Sequence, residues 1–210
     1  MLLTKLGHSC VRLEKDDATM VIDPGIWSGT DPLAGADVVL ITHEHVDHLD
    51  EQVVRGALTR PGGPHLWTNR AVAEMFADHA SRVHAVAHGD TFTVSGFDVT
   101  AYGREHAVIH PDVPTVPNVG FAIDGTLFHP GDSFTVPEED VQVLLLPVSA
   151  PWLKASEVFD YARAVKPRRS YPIHDELLNA KGLDLMDRLA SALLSAEGYA
   201  RLTAGETVEV

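Results

Sequence analysis

His43-Glu44-His45-Val46-Asp47-His48 puts three imidazoles and two carboxylates in six positions. Just before it runs Val38-Val39-Leu40-Ile41, and shortly after it comes Asp50-Glu51-Gln52-Val53-Val54. The first is a continuous apolar run, as a strand buried on both faces requires. The second opens on a residue type that caps helices. The six residues therefore read as a loop between a buried strand and a helix. Imidazole is a common ligand for zinc and its neighbours, and carboxylate is the usual harder partner. His43 and His45 are two apart, so an extended turn can project both the same way. Asp47 and His48 are adjacent, so the backbone can aim both at a second point nearby. One short loop can thus serve two metal ions. A surface loop merely rich in histidine would have no reason to sit at this junction.

Working outward, the 210 residues fit one domain, 1–210, large enough to bury a core without disulfides. The formal net charge of −14 repels nucleic acid phosphates over most of the surface. Cys10 is the single cysteine, so no internal disulfide forms. The N-terminal stretch Met1–Lys5 lacks a signal-peptide pattern, and no uncharged apolar run reaches membrane-spanning length. The expectation is a cytoplasmic protein acting on a small molecule, without nucleic acid or membrane partners. Self-association is left open.

In chain order, strands are expected at Leu2–Leu6, Cys10–Leu13, Ala18–Ile22 and Val38–Thr42. Asp50 caps a helix running to about Thr59. His65–Thr68 is a strand, Asn69 caps a helix to about Ala80, and Val83–Ala87 is a strand. Thr91–Val94 and Phe97–Tyr102 form a hairpin, as do Val119–Ile123 and Thr126–His129 across Asp124-Gly125. Val141–Leu146 is a central strand, about Ser156–Val165 a helix, and Arg169–Ile173 a strand. Leu183–Ala196 is a helix with Leu185, Met186, Leu189, Leu193 and Leu194 facing inward. Tyr199–Leu202 and Thr207–Val210 close the chain as a last hairpin. The pattern is a layered α/β protein with mixed sheets.

Three further residues stand where strands give way to loops: His106, Asp132 within His129-Pro130-Gly131-Asp132-Ser133, and His174. Together with Asp23 and His43-x-His45-x-Asp47-His48, they resemble the five motifs of the metallo-β-lactamase superfamily in order and spacing, over residues 23–174. Gly7-His8-Ser9 and Asn118-Val119-Gly120-Phe121 look like its compact branch of small metal-dependent hydrolases, which includes the ascorbate-6-phosphate lactonase relatives. The resemblance implies a four-layer αβ/βα sandwich of two mixed sheets with the metals at one edge. It implies that His43, His45 and His106 hold one metal, that Asp47, His48 and His174 hold a second, and that Asp132 bridges them.

Two divalent ions about 3.5–4 Å apart hold a shared water and lower its pKa toward neutrality, and the resulting hydroxide attacks a carbonyl or phosphoryl centre. The expected activity is hydrolysis of a small ester-like substrate, a lactone or a phosphoester. Zinc is the first expectation, with manganese or iron as alternatives because Asp47 and Asp132 supply oxygen. The candidate catalytic residues are Asp47, Asp132, His8 and His110. His8 and His110 either line the site as proton donors or substrate contacts, or are hydrogen-bonded structural histidines. Asp23 either orients a ligand histidine by accepting its free N–H, as the resemblance implies, or forms the turn before Pro24, and His129 supports the turn before Asp132. Arg104, Trp27, Trp152 and Phe134 stand in loops beside the site, either shaping a pocket or packing beneath those loops. Two competing readings keep the metals: a redox or dioxygenase-type protein of the same fold, and a nuclease, which the charge disfavours.

Overall fold

A computed structural model describes residues 1–194 and 198–210. Its strands, in chain order, are β1 (Leu2–Gly7), β2 (Cys10–Lys15), β3 (Ala18–Ile22), β4 (Val38–Ile41), β5 (His65–Thr68), β6 (Val83–Ala85), β7 (Thr91–Val94), β8 (Phe97–Tyr102), β9 (Gly120–Ile123), β10 (Leu127–His129), β11 (Val143–Pro147), β12 (Arg169–Ile173) and β13 (Thr207–Glu209). The helices are α1 (Glu51–Thr59), α2 (Arg70–Met75), α3 (Ala155–Val165) and α4 (Ala180–Leu193). One sheet runs β13-β1-β2-β3-β4-β5-β6 and the other β12-β11-β10-β9-β8-β7. Among the described residues no helix is long and apolar enough to cross a membrane.

The period-two geometry of a strand explains the continuous apolar runs. In β4, Val38 and Leu40 face the core between the sheets, while Val39 and Ile41 face the opposite way, toward α1 and α2. In β11, Val143 and Leu145 share that central core, and Leu144 and Leu146 pack beneath α3 and α4. Three apolar layers thus separate four structural layers, the αβ/βα sandwich expected from the sequence.

Strand direction gathers the loops at one rim. β3, β4, β5 and β6 run parallel to one another, as do β10, β11 and β12. β1 is antiparallel to β2, which is antiparallel to β3, so β1 shares the direction of β3. By the same logic β8 follows β10 through β9. The carboxyl ends of β1, β3 and β4 therefore share an edge, as do those of β8, β10 and β12. Ligands of open α/β sheets collect at such ends.

Several expectations need correction. The final hairpin is absent: β13 pairs antiparallel with β1, while Tyr199 bridges Ser170 beside the other sheet. β13 is recruited by a partner about two hundred residues earlier in the chain, so no local turn specifies it. The second helix is shorter than expected, ending at Met75 before a 3₁₀ turn at Ala77–His79. α4 starts at Ala180, because Asn179 accepts from the backbone N–H groups of Lys181 and Gly182. Its buried face is Met186 and Ala190; Leu185 and Leu193 are exposed. The expected extension to Ala196 falls on residues outside those described.

A buried ion pair ties β1 to the segment after β12. Lys5 Nζ donates to Asp175 Oδ1 at 2.6 Å and to the Pro172 carbonyl at 2.9 Å. Burial pulls the Lys5 pKa down, and the Asp175 carboxylate opposes that pull. Lys5→Met leaves Asp175 buried without its cation and should cost about 3–5 kcal/mol in urea unfolding. Lys5→Met with Asp175→Leu should recover most of that loss. Equal losses for the single and double variants would contradict the pairing.

Candidate metal centre

The loop after β4 is held from both sides before any metal is considered. Asp23, at the end of β3, accepts from the Thr42 N–H at 2.8 Å and from the Thr42 hydroxyl at 2.8 Å. Its Oδ2 also lies 2.6 Å from His48 Nδ1. The Ile26 N–H donates to the Val46 carbonyl, and the Asp50 N–H to the Pro24 carbonyl. This closeness needs Gly25, where an added Cβ would lie 2.0 Å from the Asp47 carbonyl oxygen. Three non-glycine residues of the rim have left-handed backbones: His8 (φ 40°), Asp23 (φ 51°) and His174 (φ 58°). Such conformations cost about 1–3 kcal/mol each and persist only where surrounding structure imposes them.

The side chains form two adjoining groups. His43, His45, His106 and Asp132 offer ligand atoms all within 4.8 Å of one another, and so do His8, Asp47, His48 and His174. Asp132 stands between the groups. Its oxygens lie 3.3 Å from His106 Nε2, 3.1 Å from His174 Nε2 and 3.0 Å from His48 Nε2. Asp47 Oδ2 lies 3.3 Å from His174 Nε2 and 3.2 Å from His8 Nε2.

The outward nitrogens of these rings are occupied. His43 Nδ1 meets the Thr42 hydroxyl at 3.0 Å, His106 Nδ1 donates to the Ala107 carbonyl, and His174 Nδ1 donates to the Ser149 carbonyl. A ring whose Nδ1 carries the donated proton presents a lone pair at Nε2. Among the described residues, His106 Nε2, His174 Nε2 and Asp132 Oδ1 are buried without a hydrogen-bond partner. Their short separations from one another thus lack the alignment of hydrogen bonds. Buried polar atoms left in this way are costly. Lone pairs aimed at shared space, in a set of imidazoles and carboxylates, suit zinc or a similar divalent cation.

Electrostatics agree. Burial alone would strip charge from His48, but the carboxylates of Asp132 and Asp23 outweigh it and hold its pKa well above the ordinary histidine value. For His174, burial is likewise overcome by Asp132 and Asp47, which raise it to about 9. Asp47 and Asp132 are held below the usual carboxylate range, the neighbouring imidazoles prevailing over burial. Burial keeps His43, His45 and His8 below the ordinary value.

All seven residues expected as ligands converge here, and Asp23 contacts His48 as expected. His8 joins the second group. His110 does not join either: it is exposed, and its Nδ1 accepts from the Asp112 N–H. His129 is buried, with Nδ1 accepting from the Gly131 N–H and Nε2 facing the Ser9 carbonyl, so it supports the turn before Asp132. Trp152, expected beside the site, and Asn118, from the Asn118–Phe121 motif, both hold Asp132, a role the sequence did not assign to either. Trp152 Nε1 donates to Asp132 Oδ2 at 2.9 Å. Asn118 accepts from the Asp132 N–H and donates to the Pro130 carbonyl. Arg104 is exposed, and Phe134 packs on Trp152.

A cavity of about 250 Å³ opens over the cluster, lined by both ligand candidates and apolar side chains. A larger one, about 520 Å³, includes Arg168 and Arg169 and none of the ligand candidates.

The chain matches the model of the β-lactamase superfamily domain over residues 2–174. It is 38% identical over 197 residues to the protein Rv0786c of Mycobacterium tuberculosis, covering 87% of this chain and 89% of that one. It is 27% identical over 193 residues to a UPF0173 metal-dependent hydrolase of Anoxybacillus flavithermus, covering 75% of this chain and 84% of the relative. Its fold resembles that of Igni18, a metallo hydrolase from Ignicoccus hospitalis, with a TM-score of 0.73 and 20% identity over 99% and 97% of the two chains.

Only neutral imidazole binds a metal, so a cation must displace the protons on His174 and His48. Protons on His174, whose pKa is raised to about 9, and on His48, raised well above the ordinary value, compete with the cation, so affinity for a divalent cation should fall as pH falls. Calorimetric titration near neutral pH, in buffers of different ionisation enthalpy, should register net proton release on zinc binding. Binding without proton release would contradict the charge arrangement.

Proposed function

Because the chain belongs to the β-lactamase superfamily, we propose that this metal-dependent hydrolase works with two divalent cations, zinc first among them, on a small ester-like substrate. The observation that carries the reading is the pair of adjoining ligand groups with Asp132 between them. His43, His45 and His106 would hold one cation, Asp47, His48 and His174 the other, and Asp132 would touch both. His8 stands at Asp47 as an eighth candidate.

Two divalent ions held there would lower the pKa of a shared water toward neutrality and polarise the oxygen of the carbonyl or phosphoryl group whose carbon or phosphorus is attacked. The residues supply position and charge. Asp23 and Thr42 fix His48 and His43. The Ala107 and Ser149 carbonyls fix the tautomers of His106 and His174. Trp152 pins one Asp132 oxygen, which leaves the other free for a cation. In the hydrolysis of a lactone or ester, the oxygen of water joins the acyl carbon and the acyl C–O bond breaks. One proton of that water goes to the departing alkoxide and the other to solvent. A phosphoester would be cleaved by the same displacement at phosphorus.

The substrate is taken to be a small molecule, since the cavity is compact and the net charge of −14 repels polyanions. The His and Asp donors suit a hydrolytic or a redox metal alike, so the identity of the native metal separates the two readings.

Protein stripped of metal should have no activity, and zinc or manganese should restore it. His43→Ala should abolish both bound metal and turnover. Asp23→Ala removes no ligand, yet it should weaken metal binding about 10–100-fold. Full activity in verified metal-free protein would end the proposal. Iron as the sole native metal, with an intense visible spectrum and no hydrolysis, would move the assignment to redox chemistry.

A further inference from the structure

The walls of the cavity over the cluster divide into two chemical classes. Its polar members, His45, Asp47, His106, Asp132 and His174, all belong to the two ligand groups. Every other lining residue is apolar or an indole: Trp27, Val46, Ile109, Pro151, Trp152 and Leu177. The indole N–H of Trp152 is already spent on Asp132. Apart from the indole N–H of Trp27, the described lining thus holds no side-chain lysine, arginine, hydroxyl or amide that could bind a second polar group of a substrate.

The apolar residues are also exposed to a degree that folding does not require. Val46 is 61% exposed, Leu177 49% and Trp27 42%. Ile26 and Val108, next in sequence to Trp27 and Ile109, are 51% and 60% exposed. Single exposed apolar side chains are ordinary, but a set of them around one polar cluster marks a binding surface. Pockets that bind small molecules have this make-up, apolar walls with a few convergent polar groups.

Charge points the same way. An anionic tail lying against the apolar walls, beyond the reach of the cations, would find no lysine or arginine to pair with. Arg168 and Arg169 serve a different cavity. A phosphorylated substrate would therefore carry its charge unpaired against apolar walls, unless the phosphate were itself the reacting group.

We infer that the site takes a small neutral ester or lactone whose non-reacting part is an apolar chain or ring, seated against Trp27, Val46 and Leu177, and that it rejects substrates with an anionic tail. This inference rests on the dinuclear hydrolase reading and narrows it. Trp27 and Leu177 are then specificity-determining residues.

The test uses the zinc-reconstituted full chain with two matched series. The first is a set of neutral lactones and aryl esters whose alkyl substituent lengthens one methylene at a time. The second carries a terminal carboxylate or phosphate on the same chains. kcat/KM should rise up to about fourfold per methylene until the cavity is filled, which corresponds to ~0.8 kcal/mol for each buried CH₂. The anionic counterparts should be at least about tenfold poorer. Leu177→Ser should flatten the rise with chain length. Leu177→Arg should raise the anionic-to-neutral ratio, with metal content unchanged in both variants. A flat dependence on chain length, or anionic substrates turned over as well as neutral ones, would overturn the inference and leave the hydrolase reading standing. Metal-dependent turnover of phosphodiesters alone would do the same. No metal-dependent turnover of any substrate would overturn both.

Discussion

The buried carboxylate of Asp23 is the constraint on which the rest depends. It sits at the end of β3 in a left-handed conformation and is wholly buried. Its oxygens take the Thr42 N–H, the Thr42 hydroxyl and one nitrogen of His48. A buried carboxylate is tolerated only when its lone pairs are met, and here meeting them sets the path of the loop after β4. Once Thr42 and His48 are fixed, the residues between them have little freedom. His43 Nε2 and His45 Nδ1 come to 3.1 Å from each other, and both belong to the group of ligand atoms that lie within 4.8 Å of one another.

The second sheet supplies the other half of the centre through equally specific backbone ties. The Ala107 N–H donates to the Asp132 carbonyl, the Val119 N–H to the Thr42 carbonyl, and the His174 N–H to the His8 carbonyl. Each bond crosses between loops that end different strands. Gly131 allows the approach on one side: at φ +61°, an added Cβ would lie 2.3 Å from Asn118 Oδ1. Rigid strands thus deliver loops, and loops exchange backbone hydrogen bonds that hold the ligand atoms in place. Such preorganisation is what a two-metal site requires.

Much of this was legible in the sequence, for a physical reason in each case. Val38–Ile41 reads as a doubly buried strand because both faces of β4 meet apolar layers. The histidine loop reads as a metal site because its residue types have no packing use in that arrangement. The Asp124-Gly125 turn reads as a hairpin because its backbone demands those residues, and both have positive φ. Long-range choices were not legible. β13 pairs with β1 from the far end of the chain, and nothing local in Thr207–Glu209 names that partner. Lone histidines in loops are equivalent in sequence, yet His8 is buried against Asp47, while His110 is exposed and takes the Asp112 N–H. Trp152 matters because of one hydrogen bond, and its sequence context does not encode that bond.

The central claim is that two cations sit side by side between these loops. The most direct measurement is anomalous X-ray scattering from crystals of natively purified protein. The account predicts two metal peaks about 3.5–4 Å apart, with Asp132 between them, one peak against His43, His45 and His106 and the other against Asp47, His48 and His174. A single peak, or His106 and His174 contacting no metal in fully loaded protein, would contradict it.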